Sequence, residues 1–102
     1  MRLIVLFDLP VKTKKDRKIY ALFRKELIKR GYLMLQYSVY AKVLANREAA
    51  VLEKNIVRKI APEKGNIRMM MLTENQYQNI EIIIGGISNQ EEVLTKEAFI
   101  II

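Results

Sequence analysis

Cysteine and histidine are both absent from these 102 residues. The first absence removes disulfides, thiolate metal sites and any cysteine nucleophile. The second removes imidazole zinc centres and histidine-based triads. Any metal must therefore be held by oxygen, which selects a hard cation, Mg²⁺ or Mn²⁺, over zinc or copper. Also missing are an apolar run long enough to span a bilayer and the basic, apolar and small-residue order of a cleavable leader. A cytoplasmic protein with no membrane partner is expected. Only two prolines and four glycines punctuate the chain, so most of them mark the end of an element.

What is present is a modest core and an uneven charge. Hydrophobic residues make up 51% of the chain, enough for one domain. A domain this small buries a limited share of its surface, and an oligomer is expected. The net charge is +7, with +9 on residues 1–47 and −2 on residues 48–102. A basic half beside a mildly acidic one suits a polyanion on one side and a protein partner elsewhere.

The first ten residues, MRLIVLFDLP, organise the rest. Leu3, Val5, Phe7 and Leu9 are apolar, while Arg2, Ile4, Leu6 and Asp8 are mixed. At the two-residue period of a strand, the first set faces a core and the second a wetter surface or another subunit. Asp8 thus arrives at the strand end on the less buried face, and Pro10 stops the strand. Read from the residues alone, Asp8 is either a functional carboxylate or a strand-end turn cap.

Thr13 opens a capping-box pattern with Asp16, and the helix it begins runs to about Arg30, with Gly31 as the stop. Ile19, Tyr20, Phe23 and Leu27 share its apolar face. Lys14, Lys18, Lys25 and Lys29 line the other, flanked by Arg17 and Arg24. These cations are either solvated or a ridge that tracks phosphates. Lys12, Lys14, Lys15, Arg17, Lys18 and Arg24 are the candidate nucleic-acid-binding residues.

From Tyr32 to Val43 residues alternate: Leu33, Leu35, Tyr37, Val39, Ala41 and Val43 against Tyr32, Met34, Gln36, Ser38, Tyr40 and Lys42. The second set, polar and aromatic, suits a partner or nucleic acid as well as water. The run is one long strand or two divided near Gln36–Ser38. Asn46 caps a second helix reaching Ala61, with Ala49, Leu52, Ile56 and Ile60 as its buried stripe. Asn66–Thr73 forms a strand whose Met69–Met71 serve as core filler and interface. Thr73–Gln76 caps a short turn, and Ile80–Ile84 reads as a further strand. A polar, acidic stretch then leads to an apolar terminus, Phe99, Ile100, Ile101 and Ile102. This end is expected to add to a sheet edge, its own or a partner's.

The order of elements suggests an α+β plait with both helices on one sheet face, leaving the other for a partner. If Tyr32–Val43 is two strands, the plait is ferredoxin-like, βαββαβ, with a C-terminal strand. Residues 1–84 then form the domain and 85–102 a tail.

Taken together, FDLP at Phe7–Pro10, FRKELIKRGY at Phe23–Tyr32, MLQYSVYAKVL at Met34–Leu44 and GNIRMMMLTENQY at Gly65–Tyr77 are similar to one family. The chain resembles the second CRISPR-associated protein family, the small subunit of the spacer-acquisition machinery, over roughly Met1–Ile84. The resemblance implies a ferredoxin-like homodimer packed sheet to sheet. It matches Asp8 to the family's strand-end acid and Ser38 to the serine of its QxSVY-like strand. It implies a divalent metal held by paired aspartates, for phosphodiester cleavage of RNA or DNA. It further implies a dimer that bridges integrase dimers, supports incoming DNA and engages the integrase through its C-terminal region. One departure is local: many relatives carry charged residues directly after the aspartate, whereas Leu9, Pro10 and Val11 intervene here before Lys12. Two readings stand beside each other: a DNA-holding scaffold resting on the basic half, and a metal-dependent nuclease resting on Asp8. A third is a ferredoxin-like binding module outside CRISPR biology that stacks bases on Tyr32 and Tyr40.

Overall fold

Three capping residues, a proline and two glycines set the element boundaries. The computed structural model describes residues 1–86; the expected terminal strand at Phe99–Ile102, with nearly all of the tail, lies outside the described residues. The elements are β1 (Arg2–Asp8), α1 (Lys14–Lys29), β2 (Leu33–Gln36), β3 (Val39–Val43), α2 (Arg47–Ile60), β4 (Asn66–Leu72) and α3 (Glu74–Gln78). The Thr13 hydroxyl accepts from the Asp16 amide at 3.0 Å, and the Asp16 carboxylate accepts from the Thr13 amide at 3.2 Å. Thr73 and Gln76 repeat this reciprocal cap at α3, and Asn46 caps α2 through the Ala49 amide. Gly31, at φ +93°, ends α1 in the left-handed region that favours glycine.

The strands form one antiparallel sheet in the order β2-β3-β1-β4, the ferredoxin-like arrangement with β1 central. Leu3, Val5, Phe7 and Leu9 lie in the core. Phe7 is its aromatic hub, edge-on to Phe23 at 5.1 Å and stacked with Tyr40 at 5.7 Å. Met69 and Met71 pack against this core, while Met70 points to the opposite sheet face and is 44% exposed.

Of the two readings of Tyr32–Val43 the structure has the second, two strands separated by a turn at Tyr37–Ser38 and a register shift between Met34 and Gln36. Several other expectations are corrected. The aromatic set of Tyr32–Val43 is not an open surface. Tyr40 pairs with Val5 in register, which turns it toward the core, and Tyr32 and Tyr40 are 1% and 0% exposed. Neither ring can stack a base.

The buried stripe of α2 is Ala50, Glu53 and Val57, with Ala49, Ile56 and Ile60 only half-buried at its flank and Leu52 exposed. The helix is rotated because small Ala50 permits close approach and Glu53 is drawn inward. Its carboxylate accepts from the Tyr32 hydroxyl at 3.3 Å and pairs with Lys42 at 3.2 Å. On α1, Phe23 and Leu27 are buried, whereas Ile19 lies at the edge of the packed face.

On the other sheet face Arg2 and Ile4 are buried rather than wet. Arg2 is clasped by Glu74 at 2.7 Å and lies over the Tyr77 ring at 3.6 Å, so α3 covers that end. The Thr73 cap that starts α3 also redirects the chain, and Ile80–Ile84 is not a strand. Ile82, Ile83 and Ile84 are exposed.

Burial, reinforced by the neighbouring Glu53 carboxylate and its hydrogen bond, pushes the Tyr32 phenol up from its ordinary value of about 10. A phenol whose pKa is raised by folding stabilises the native state fully below the unfolded value. That contribution is lost as pH rises beyond it. Tyr32→Phe should lower stability by about 1 kcal/mol at neutral pH, through the lost hydrogen bond. It should also flatten part of the fall in stability above about pH 10. Thermal melts of both proteins between neutral and alkaline pH measure this.

Candidate active site

Asp8 ends β1 on the sheet face opposite the helices, and its side chain is exposed. Two neighbours fix its backbone. On one side Asp8 pairs with Asn66, the first residue of β4. On the other, the Phe7 amide donates to the Ser38 carbonyl at 3.0 Å, tying the strand end to the β2–β3 turn. Gly65 closes the approach from β4. It sits at φ +101°, and a Cβ there would lie 2.7 Å from the Asp8 carbonyl oxygen and 3.1 Å from the Leu9 Cα. Only a residue without a side chain lets the two backbones meet this closely.

These contacts form a shallow depression of about 360 Å³ that brings together Asp8, Tyr37, Ser38, Asn66 and Arg68 over Leu6 and Val39. The alternation of β4 accounts for two of them. Asn66 is opposite Asp8 and Arg68 opposite Leu6, so both share the face of Asp8. Ser38 is held at φ +62°, a region uncommon outside glycine. Its hydroxyl is 3.2 Å from the Tyr20 hydroxyl. A hydrogen bond with Tyr20 pushes the exposed Tyr37 phenol up, so this rim carries no negative charge of its own near neutral pH.

Sequence reasoning singled out Asp8 and Ser38, and the structure places them in the same depression. It missed Tyr37, Asn66 and Arg68. The alternation sets Tyr37 on one face with Leu33, Leu35 and Val39 only because it is carried through what is in fact a turn. Asn66 and Arg68 lie in GNIRMMM, where polar residues alternate with apolar ones, and that alternation was the available signal. The basic candidates lie elsewhere. Lys12, Lys14, Lys15, Arg17 and Lys18 are exposed around the start of α1, in the helix layer. Arg17 donates to the Val11 and Lys12 carbonyls at 3.2 and 3.1 Å, which shapes the loop before the helix. Arg24 donates to the Tyr40 hydroxyl at 2.7 Å and has part of its guanidinium committed inward.

Among the described residues no group of three or more acidic side chains could hold a metal. The oxygens at hand are the Asp8 carboxylate, the Asn66 amide and the Ser38 hydroxyl. Mg²⁺ keeps several waters and is usually bound through one or two carboxylates plus substrate phosphates. One carboxylate beside two neutral oxygens fits a hard cation of this kind.

Fold and site together define a ferredoxin-like α+β protein whose open sheet face carries a strand-end carboxylate beside an arginine. The family model described as CRISPR associated protein Cas2 matches residues 1–80, and the chain belongs to that family. It is 44% identical to the CRISPR-associated endoribonuclease Cas2 of Treponema denticola over 107 aligned residues, covering 100% of both chains. Identity to the protein so named from Ligilactobacillus salivarius is 42% over 85 residues, 83% of this chain and 84% of that one. The Campylobacter jejuni protein of the same name is also 42% identical, over 93 residues, 91% of this chain and 65% of that longer protein. The crystal structure of Streptococcus pyogenes Cas2 superposes with a TM-score of 0.62 over 81% of this chain and 99% of that one. At 24% identity that match speaks for the fold.

Proposed function

We propose that this chain is a metal-dependent endoribonuclease that works as a homodimer through Asp8. The observation that carries the reading is the depression itself, where Asp8 and Arg68, on the sheet face the helices leave open, meet the Tyr37–Ser38 turn. The relatives' shared name, endoribonuclease, supports the choice of RNA. In a sheet-to-sheet dimer the two Asp8 carboxylates would face one another across the two-fold axis and complete the site. The exposed Met70, Ile82, Ile83 and Ile84 supply apolar surface for such a dimer. Mg²⁺ or Mn²⁺, when bound, would polarise the scissile phosphate and lower the pKa of the attacking water. Arg68 holds and neutralises the phosphate, and Asn66 and Ser38 orient it by hydrogen bonds. Replacement of Asp8, treated in the Discussion, tests the assignment.

A second reading has its own support: a DNA-holding subunit of the spacer-acquisition complex that bridges integrase dimers. Lys14, Lys15, Lys18, Lys25 and Lys29 are exposed on α1, and none is ion-paired among the described residues. The ridge belongs to the helix layer and Asp8 to the opposite sheet face, so a duplex can rest on the first without engaging the second. Binding of this kind reads phosphates and not sequence. Duplex affinity should fall linearly with salt on logarithmic axes, and Lys14→Ala with Lys18→Ala should reduce that slope by about 2. Fluorescence anisotropy across a salt series measures it; salt-insensitive binding would count against the ridge.

A further inference from the structure

Arg24 stands among the cations of α1, yet its hydrogen bonding sets it apart from the ridge lysines. The residue is exposed, but its Nε reaches inward and donates at 2.7 Å to the hydroxyl of Tyr40, which is wholly buried. The Tyr40 ring in turn stacks on Phe7, with centroids 5.7 Å apart and planes within 18°. Two more residues of α1 reach the same Phe7 ring: Phe23 edge-on at 5.1 Å and Tyr20 at 5.7 Å. Tyr20, Phe23 and Arg24 are three and four positions apart, so they share one face of the helix. Phe7 is the residue before Asp8, and its amide is tied to the Ser38 carbonyl at 3.0 Å. The helix layer thus grips the strand end through Phe7, directly and by way of Tyr40.

We propose that Arg24 is a positioning residue for Asp8, acting through the Tyr40 hydroxyl and the Tyr40–Phe7 stack. This rests on the reading of Asp8 as the nuclease carboxylate, and it adds to that site a residue from the opposite layer. Adjacent residues of a strand point to opposite faces, so a shift of the Phe7 ring turns the backbone that carries Asp8. Without Arg24 the buried phenol loses its charged partner, a costly state that moving the ring toward water relieves. That movement opens the stack on Phe7, and a close-packed core passes the displacement to its neighbours. A reacting group is sensitive to such shifts, since a misplacement of about 1 Å from a remote change can cost about 100-fold. Lysine is no substitute, because its ammonium is a mobile point charge without the fixed planar geometry of the guanidinium.

The test is a loss that a second change restores. Arg24→Met keeps the aliphatic stem and removes the donor; kcat for RNA cleavage should fall about ten-fold while KM stays within about two-fold. Arg24→Lys keeps the charge and should fall as far. The deciding protein carries Arg24→Met together with Tyr40→Phe. With the hydroxyl gone as well, nothing buried lacks a partner, and kcat should return to within about three-fold of the parent. A phosphate-binding role for Arg24 predicts no such recovery. The salt slope for duplex binding should be the same in Arg24→Met as in the parent, whereas a lost phosphate contact would lower it by about 1. A readout without turnover comes from the metal-free chain: the Asp8 amide resonance should shift in Arg24→Met and return in the double variant. Parent-like kcat in Arg24→Met or Arg24→Lys, no recovery in the double variant, an unshifted Asp8 amide or a lowered salt slope would each overturn the proposal. The two readings fail separately. If Asp8→Asn cleaves normally while the Asp8 amide shifts and returns as expected, the nuclease reading falls and the positioning stands. If Asp8→Asn abolishes cleavage while Arg24→Met matches the parent, the reverse holds.

Discussion

Asp8→Asn should leave the protein folded and lower the proposed metal-dependent cleavage by a factor on the order of 100 to 1,000, the usual cost of deleting one preorganised electrostatic contact at a reacting centre. The carboxylate is exposed and makes no ion pair among the described residues, so its loss leaves nothing buried without a partner. Stability should change by no more than about 0.5 kcal/mol, the range for surface substitutions. Asparagine keeps the shape and one oxygen but removes the charge that holds a hard cation. Two readouts are needed: single-turnover cleavage of RNA in Mg²⁺ and in Mn²⁺, and calorimetric titration of Mn²⁺ against the protein alone. Loss of both assigns Asp8 as the ligand. Unchanged cleavage rules it out and leaves the nucleic-acid-holding role of the basic ridge. Because the proposed site is completed by a second protomer, activity should also fall when dilution separates the dimer.

Gly65→Ala should produce the largest loss of stability from a single methyl group. Its φ of +101° is a conformation that alanine reaches only under strain, at a cost of about 1–3 kcal/mol. The new Cβ would also stand 2.7 Å from the Asp8 carbonyl oxygen and 2.8 Å from Leu9 Cδ2. The Leu9 side chain can turn away, but the Asp8 carbonyl is backbone and paired into β1, so the two segments must separate. Overpacking of this kind adds about 1–3 kcal/mol. The sum is a large fraction of the stability of a domain this size, and the melting temperature should fall by more than about 10 °C. The same displacement moves Asp8 from Asn66 and Ser38. Cleavage should therefore drop below that of the parent at temperatures where the variant is still folded, although Asp8 itself is intact. Calorimetry and activity assays on the same preparation separate the two effects. A variant as stable as the parent would show that the close approach of Gly65 to Asp8 is not maintained in solution.

The two variants divide the site into its chemistry and its support, and only the first was legible in the chain. Asp8 was visible because a lone carboxylate ending an apolar run breaks a pattern. The capping residues Thr13, Asn46 and Thr73 were visible because their hydrogen bonds are local, spanning three residues. The plait followed from the order of elements once Tyr32–Val43 was taken as two strands. Along the chain Gly65 signals a break before β4 and no more, since nothing in its sequence neighbours indicates that it must fit against Asp8.

The errors have one origin. Periodicity gives the faces of an element but not which face is covered. Tyr32, Tyr40 and Lys42 were correctly grouped together, yet placed toward a partner, because polar tips suggest water. The structure satisfies those tips internally: Tyr32 and Lys42 on Glu53, and Tyr40 on Arg24. Leu52 was expected inside and is exposed because Glu53, a residue no hydropathy scale would bury, is held by those same partners. Ile80–Ile84 had the composition of a strand, but a strand needs an edge to pair with, and α3 carries the chain away from β4.

By itself, then, the sequence determined the soft-ligand chemistry that is excluded, the hard metal that is allowed, the basic character of the N-terminal half and the strand that presents Asp8. These follow from residue identity and from contacts a few positions apart. Tertiary structure alone decided that Tyr37, Asn66 and Arg68 stand around Asp8, and that Tyr32 and Tyr40 do not. Such neighbours come from β1, β4 and the β2–β3 turn, and their meeting depends on register across the sheet. A shift of one residue would send each of them to the opposite face.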